Sequence, residues 1–528
     1  MNGHKQLNLI LALILLPAAL VMPIQSATSP GTHSLPLETS LPETLQGIPG
    51  ATAGWWAAVQ EDLHLAGYNR SRQLAGITGL SFIPNWGDEG DQADACFGYS
   101  VSTAGDVNGD GYSDVIVGAR YYSNGQTEEG AAAVYYGSAA GLSLVPNWLA
   151  EGDQAGAWFG WSVGTAGDVN GDGYDDVIVG AIGYDHDQTD EGVAAVYHGS
   201  ASGLSLIPNW LGESNQVYAY LGWSVGTAGD VNGDGYADVI VGVSFYDNGQ
   251  SAEGAAAVYH GSASGLSLIP NWGDESDQAD AHFGSSVGTA GDVNGDGYDD
   301  VIVGAPFYDH GQDAEGAAAV YHGSASGLSL IAAWLDEGDQ ADANFGASVG
   351  TAGDVNGDGY SDVIVGTPFY DHGQTDEGAA VVYHGSAAGL SLVPNWGDES
   401  NQELAQFGFS VGTAGDVNGD GYADVIIGAN HYSNGQIEEG AAAVYHGSAT
   451  GLSLIPNWGD EGDQDNALFG ESVGTAGDVN GDGFSDVIVG APYYDHGETD
   501  EGAVVVYHGA EDTVIYNHIY LPLALRNP

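Results

Sequence analysis

Asp292-Val293-Asn294-Gly295-Asp296-Gly297-Tyr298-Asp299-Asp300 is the stretch on which the fold is decided. It sets oxygen-bearing side chains at its first, third, fifth and ninth positions and Gly at its fourth and sixth. The pattern Asp-Val-Asn-Gly-Asp-Gly-(Tyr/Phe)-x-Asp occurs seven times, its first Asp at 106, 168, 230, 292, 354, 416 and 478, so every step is 62 residues. A period this strict, with no insertion between copies, means one structural unit repeated along or around an axis.

Outward from the motif, the fourth copy reads as four short strands. Residues 283–290 are the first, 301–304 an apolar buried second, 317–322 the third, and 328–331, which alternate, a fourth ending near Trp334. A Gly-rich loop follows the first strand and a polar loop, 308–316, the second. Four strands with tight turns describe a propeller blade. A solenoid would need distinct caps at its ends. Instead the last copy stops after its third strand, at Tyr507-His508-Gly509, and Gly79-Leu80-Ser81-Phe82-Ile83-Pro84-Asn85-Trp86 matches residues 265–272. The N-terminal segment thus completes the last blade, and the expectation is all-β: a closed, seven-bladed β-propeller of four-stranded blades.

The flanks read differently. Residues 1–27 resemble an export signal, with Lys5 before a short apolar run holding Pro17. Residues 28–72 are a Ser/Thr/Pro/Gly-rich linker with a short helix over 55–65 and a glycosylation sequon at Asn69-Arg70-Ser71. The propeller is expected over 73–510 and a tail over 511–528. Apart from a possible uncleaved signal, no membrane insertion is expected.

Charge narrows the partners. The chain carries 72 Asp and Glu against 5 Lys and Arg, a formal net charge of −67. Nucleic acid and anionic membrane surfaces are poor partners, and no nucleic-acid partner is expected, because both need Lys and Arg. Cations are favoured. Aromatic residues make up 10% of the chain, enough for a packed core. Cys96 is the sole cysteine, so no intrachain disulfide forms.

The repeated loops are read as calcium sites, about seven, one per blade. The first-position ligands are Asp106, Asp168, Asp230, Asp292, Asp354, Asp416 and Asp478; the third, Asn108, Asn170, Asn232, Asn294, Asn356, Asn418 and Asn480. Asp110, Asp172, Asp234, Asp296, Asp358, Asp420 and Asp482 occupy the fifth, and Asp114, Asp176, Asp238, Asp300, Asp362, Asp424 and Asp486 close the ninth. A backbone carbonyl near the seventh position would come from Tyr112, Tyr174, Tyr236, Tyr298, Tyr360, Tyr422 and Phe484. Calcium takes about six to eight hard oxygen ligands in flexible geometry, whereas magnesium wants a rigid octahedron and keeps its waters. The loop shares its start with an EF-hand but has Val303 where the twelfth-position Glu would stand.

Other repeated positions read as packing: Trp86, Trp148, Trp210, Trp272, Trp334, Trp396 and Trp458 between blades, and His198, His260, His322, His384, His446 and His508 after the third strand. His186, His310, His372 and His496 recur in the loop between the second and third strands and are read the same way. Positions where the copies disagree are more telling. Around the start of the first strand, copies two and three concentrate Trp158, Trp161, Tyr218, Tyr220 and Trp223. Broken symmetry rich in aromatics suits a sugar or peptide ligand.

The copies resemble the FG-GAP repeat family, which includes the propeller of integrin alpha chains. Phe-Gly stands at 97–98, 159–160, 283–284, 345–346, 407–408 and 469–470, and Gly-Ala-Pro at 304–306 and 490–492. The third copy has Leu221-Gly222, and several copies lack the Pro, Arg120 and Ser244 among them. The resemblance covers about 79–510 and implies calcium in the hairpin between a blade's first two strands. It loosely implies extracellular recognition. With no inserted domain, leg domain or C-terminal span read here, integrin-type pairing with a beta partner is not implied. No nucleophile elbow, zinc motif or phosphate loop is present. The expectation is a secreted or cell-surface, non-enzymatic, monomeric module for an extracellular glycan or protein. A calcium-dependent polysaccharide-degrading enzyme and a purely structural surface protein are the alternatives.

Overall fold

The computed structural model describes residues 79–511. The expected signal, the linker with its helix, and the tail beyond 511 lie outside the described residues. Within them the chain forms twenty-eight strands, β1 (Trp86–Glu89) to β28 (Ala503–Tyr507), and no helix. They group into seven four-stranded antiparallel sheets.

The fourth blade shows why the sequence folds this way. Its sheet order is β14 (Ser286–Gly291), β15 (Asp300–Ala305), β16 (Ala317–Tyr321) and β17 (Trp334–Glu337). β15 is buried at every position and β-branched over Val301-Ile302-Val303, which suits a central strand packed on both faces. Neighbouring blades then approach at backbone distance. A Cβ on Gly304 would lie 2.0 Å from the carbonyl oxygen of Gly346 in the next blade, so this position admits nothing larger than Gly.

Two boundaries differ from the sequence reading. The fourth strand runs Trp334–Glu337, beyond the alternating Leu328-Ser329-Leu330-Ile331. There Ser329 Oγ donates to the Ile331 carbonyl at 3.0 Å in a local turn, and Leu330 and Ile331 are left exposed. The first strand of this copy begins at Ser286 rather than Phe283, whereas in copies one, two, three and six it begins at the Phe or Leu of the dipeptide.

The ring closes as expected, with the closing strand moved to β1. β1 pairs antiparallel with β28 from Trp86↔Val506 to Glu89↔Ala503, finishing the sheet of β27 (Asp486–Ala491) and β26 (Ser472–Gly477). The parallel bridge Phe97↔Gly502 joins last blade to first just as Gly316↔Phe345 joins fourth to fifth. Closure covers the sheet edges that an open array would expose.

The core lies between blades. Ile240, Val258 and Trp272 of the third blade cluster with Phe283, Val301 and Tyr321 of the fourth. The Trp272 and Tyr321 rings meet edge-on with centroids 4.8 Å apart. Trp272 Nε1 donates to the Ser329 carbonyl of the fourth blade at 2.9 Å, and Tyr321 Oη donates to Asp274 of the third at 2.7 Å. The recurring imidazoles also pack between blades: His322 lies against Gly389, and burial holds its pKa below the ordinary value.

Candidate calcium loops and an aromatic face

Each Asp-Asn-Gly loop joins the first and second strands of a blade, so all seven lie on one face of the ring. In the fourth, Asp292 Oδ1 accepts the N–H groups of Gly295 and Asp296 (2.7 and 3.1 Å), and Oδ2 accepts that of Gly297 (2.8 Å). Asn294 Oδ1 accepts from Asp296 N, and Asp296 Oδ1 from Tyr298 N. Gly295 and Gly297 take φ of +73° and +88°, the left-handed conformation the tight turn requires. Asp300 is fully buried; its two oxygens accept the N–H groups of Val293 and Gly323 at 3.0 and 2.8 Å. Burial pushes its carboxyl up to about 7, and Asp296 and Asp292 add to the rise.

The donor set is all oxygen, and no Lys or Arg stands in any loop. Those residues fit a hard divalent cation, whose charge would relieve the mutual repulsion of the carboxylates. Among the described residues, the acidic and imidazole groups that bring three ligand atoms within 4.8 Å of one another lie elsewhere; here the carboxylates are turned to the loop's own N–H groups. The seventh-position rings tie neighbouring loops together. The Tyr298 ring covers Gly233, where a Cβ would meet it at 2.5 Å. The eighth position, not singled out from sequence, also bridges blades: Asp299 Oδ2 accepts the Asp230 N–H at 2.8 Å.

The strand starts that vary between copies lie on the opposite face. The residue before each Phe/Leu-Gly is left-handed in every blade; Trp158, Tyr220 and His282 have φ of 54°, 56° and 54°. A non-Gly residue held there costs roughly 1–2 kcal/mol. Large side chains are kept despite that cost.

These side chains form a continuous arc across blades one to four. Ring centroids are 5.2 Å apart for Tyr99–Trp161 and 5.0 Å for Trp161–Trp223. Trp158 stacks on Trp161 at 6.1 Å, and Tyr220 and Trp223 both touch Phe245, which continues to His282 and Phe307. Tyr218 is exposed and lies outside this run of ring contacts. Arg120, the one Lys or Arg in residues 79–511, sits at the head of the arc. Its guanidinium lies 3.6 Å from the Tyr99 ring centroid, 4.5 Å from that of Tyr121 and 5.1 Å from that of Trp161. One of its terminal nitrogens donates to Tyr493 Oη at 2.8 Å. Burial works to lower the Arg120 pKa, yet the surrounding phenols raise it on balance, so the charge is kept. Round the rest of the rim the position carries Ser285, Ala347, Phe409 and then Glu471, which accepts from Asn430 at 2.8 Å and, the ring being closed, faces Arg120. Phe245, Phe307 and Arg120 were not legible as site residues, because they enter from the ends of the second strands and not from the varying starts of the first.

Fold and loops together define a closed seven-bladed β-propeller of repeated Asp-rich hairpins. The chain belongs to the FG-GAP repeat family, whose model matches residues 97–135, 159–197, 221–259, 283–321, 345–383, 407–445 and 469–507. It is similar to integrin alpha-V of Gallus gallus, 35% identical over 222 residues, covering 40% of this chain and 20% of that protein. It is also similar to integrin alpha pat-2 of Caenorhabditis elegans, 37% identical over 238 residues (41% and 18%), and to integrin alpha-5 of Xenopus laevis, 32% over 253 residues (45% and 22%). The chain thus matches about a fifth of the length of these relatives. Among solved structures, BBS1N in complex with ARL6DN aligns with a TM-score of 0.45 at 10% identity, covering 82% of this chain and 97% of that one. The exotype rhamnogalacturonan lyase YesX aligns at 0.39 and 14%, covering 82% and 76%.

Proposed function

We propose that this protein is a calcium-binding recognition module, secreted or held at a cell surface, that uses the aromatic face to bind an extracellular glycan or protein. The observation that carries the reading is the arc Tyr99–Trp161–Trp223 with Arg120 at its head. Stacked indoles offer flat apolar area to a sugar ring or an aromatic side chain, and buried rings of this kind dominate binding energy where they occur. Arg120 is itself buried under the rings and faces Glu471 of the last blade, so it braces the head of the arc while the rings do the contacting. Similarity to integrin alpha chains supports a binding and adhesion role over catalysis.

Calcium, once bound, supplies positive charge among the Asp side chains. The chain's own residues set up the rest: Asp292 orders the turn, Asp300 anchors it to the blade, and Tyr298 and Asp299 tie it to the neighbouring blade. The calcium loops therefore have a structural role, and the opposite face is free for ligand.

A glycan and extracellular-protein array probed with the exported chain in calcium tests this. Binding to a defined ligand that is lost in Trp161→Ala and Trp223→Ala, with no turnover of that ligand, is expected. Glycan cleavage, or binding indifferent to both substitutions, contradicts it.

A further inference from the structure

The loop between second and third strands carries, in every copy, a Glu just before the Gly that leads into the third strand. In the second blade this is Glu191, 0% exposed. Its Oε1 accepts three backbone N–H groups of its own loop, from His186, Asp187 and Gln188, at 2.9, 2.7 and 3.2 Å. Loop architecture accounts for that oxygen. It does not account for Oε2, which is buried and has no hydrogen-bond partner. A buried carboxylate oxygen left bare is unfavourable.

The neighbours of that carboxylate suggest what satisfies it. Glu191, His186 and Glu213, the last from the end of the fourth strand, each bring a ligand atom within 4.8 Å of the other two. His186 Nδ1 stands 2.8 Å from Glu213 Oε2. The last blade repeats the constellation with His496, Glu501 and Glu89. There His496 Nδ1 and Glu89 Oε2 are buried and form an ion pair at 2.7 Å. Those 2.8 and 2.7 Å separations are ion-pair lengths; a tetrahedral shell with bonds of about 2.0–2.1 Å has edges of about 3.3 Å, so each pair would part by about half an ångström to admit a metal.

Other blades supply the contrast. Blades one and three carry Asn in place of His, and Asn124 and Asn248 donate to Glu151 and Glu275 at 2.8 and 2.7 Å; Glu129 and Glu253 there keep the same bare Oε2, and Glu129, Glu151 and Asp153 also converge, so the imidazole is what sets the two proposed sites apart. In the fourth and fifth blades His310 and His372 contact Glu337 and Glu399, without a third ligand atom converging within the same distance.

We propose that His186–Glu191–Glu213 and His496–Glu501–Glu89 are two transition-metal sites of the zinc type, separate from the calcium loops and on the face that carries the aromatic arc. One imidazole and two carboxylates suit zinc or cobalt, whereas calcium and magnesium call for oxygen alone. Three protein ligands leave a coordination position open. The second site has a further consequence. Glu89 lies in β1 and its two partners in the last copy, so the metal would clip the ring where its ends meet, closing a loop of roughly four hundred residues.

The test uses the full chain, stripped of transition metals and held in millimolar calcium, titrated with zinc by equilibrium dialysis and with cobalt by its visible absorption. Two equivalents are expected for the wild type, one each for His186→Asn and His496→Asn, and none for the double variant. Asn is native to this position in other blades, so folding should be preserved. If a His variant fails to fold, Glu213→Gln and Glu89→Gln serve instead. Zinc should raise the wild-type melting temperature, and His496→Asn should abolish the part due to closure. Uptake unchanged in the double variant would mean adventitious binding to an acidic surface. That result, absence of uptake, or displacement of both equivalents by calcium would overturn the proposal.

Discussion

Replacing Tyr321 by Phe removes one oxygen at a blade interface and leaves the packing intact. Tyr321 is 4% exposed, and its Oη donates to Asp274 Oδ2 of the preceding blade at 2.7 Å. A hydrogen bond to a charged acceptor is worth about 1.5–3 kcal/mol; with Asp274 half-buried, the lower end, about 1.5 kcal/mol, applies. If the ring melts as one unit of about 430 residues, an unfolding entropy of about 2.1 cal/mol/K per residue gives roughly 0.9 kcal/mol/K. The expected fall in Tm is then about 2 °C by calorimetry in saturating calcium. The molecule supplies its own control. At the next interface down, Tyr259 faces Gly212 where Asp would stand, so Tyr259→Phe removes no such bond and should move Tm by less than about 0.5 °C. Equal losses at the two positions, or no loss at Tyr321, would refute the inter-blade bond as a stabilising contact. A much larger fall at Tyr321 would instead show blades melting separately.

Three other outcomes are expected. Trp161→Ala or Trp223→Ala should weaken binding of whatever ligand the arrays reveal by roughly tenfold or more, with calcium content unchanged, as measured by surface plasmon resonance. Gly304→Ala puts a Cβ 2.0 Å from the Gly346 carbonyl and should lower soluble yield and Tm sharply, whereas Gly226→Ala, with nothing within 4 Å, should be near neutral. A chain beginning at residue 91 lacks β1, and should expose the edge of β28 and self-associate, which light scattering would detect.

Much of this was legible in the sequence because the repeat multiplied each weak signal. One Asp-rich turn says little, but seven in register fixed blade number, ring closure and loop position. The fourth strand was misplaced because Leu328-Ser329-Leu330-Ile331 alternates as a strand does, while Ser329 folds the segment into a turn and leaves Leu330 83% exposed. The aromatic residues of copies two and three were visible as broken symmetry. Their continuity through Phe245 to His282, and the seat of Arg120, were not, since these depend on contacts between blades. Glu191 was hidden differently. Among 72 acidic residues only its recurrence before Gly marked it, and its half-satisfied carboxylate is a fact of burial.

Calcium held in the seven loops would stabilise the ring. At about 100 times its Kd, each ion contributes about 2.7 kcal/mol, up to roughly 19 kcal/mol for seven independent sites. Counting calcium by atomic emission on chelator-stripped and reloaded protein, with a melt of each sample, measures this directly. About seven ions per chain and a Tm higher by up to about 20 °C, that sum divided by the slope of about 0.9 kcal/mol/K, are predicted; no calcium retained above buffer, with superimposable melts, would contradict it.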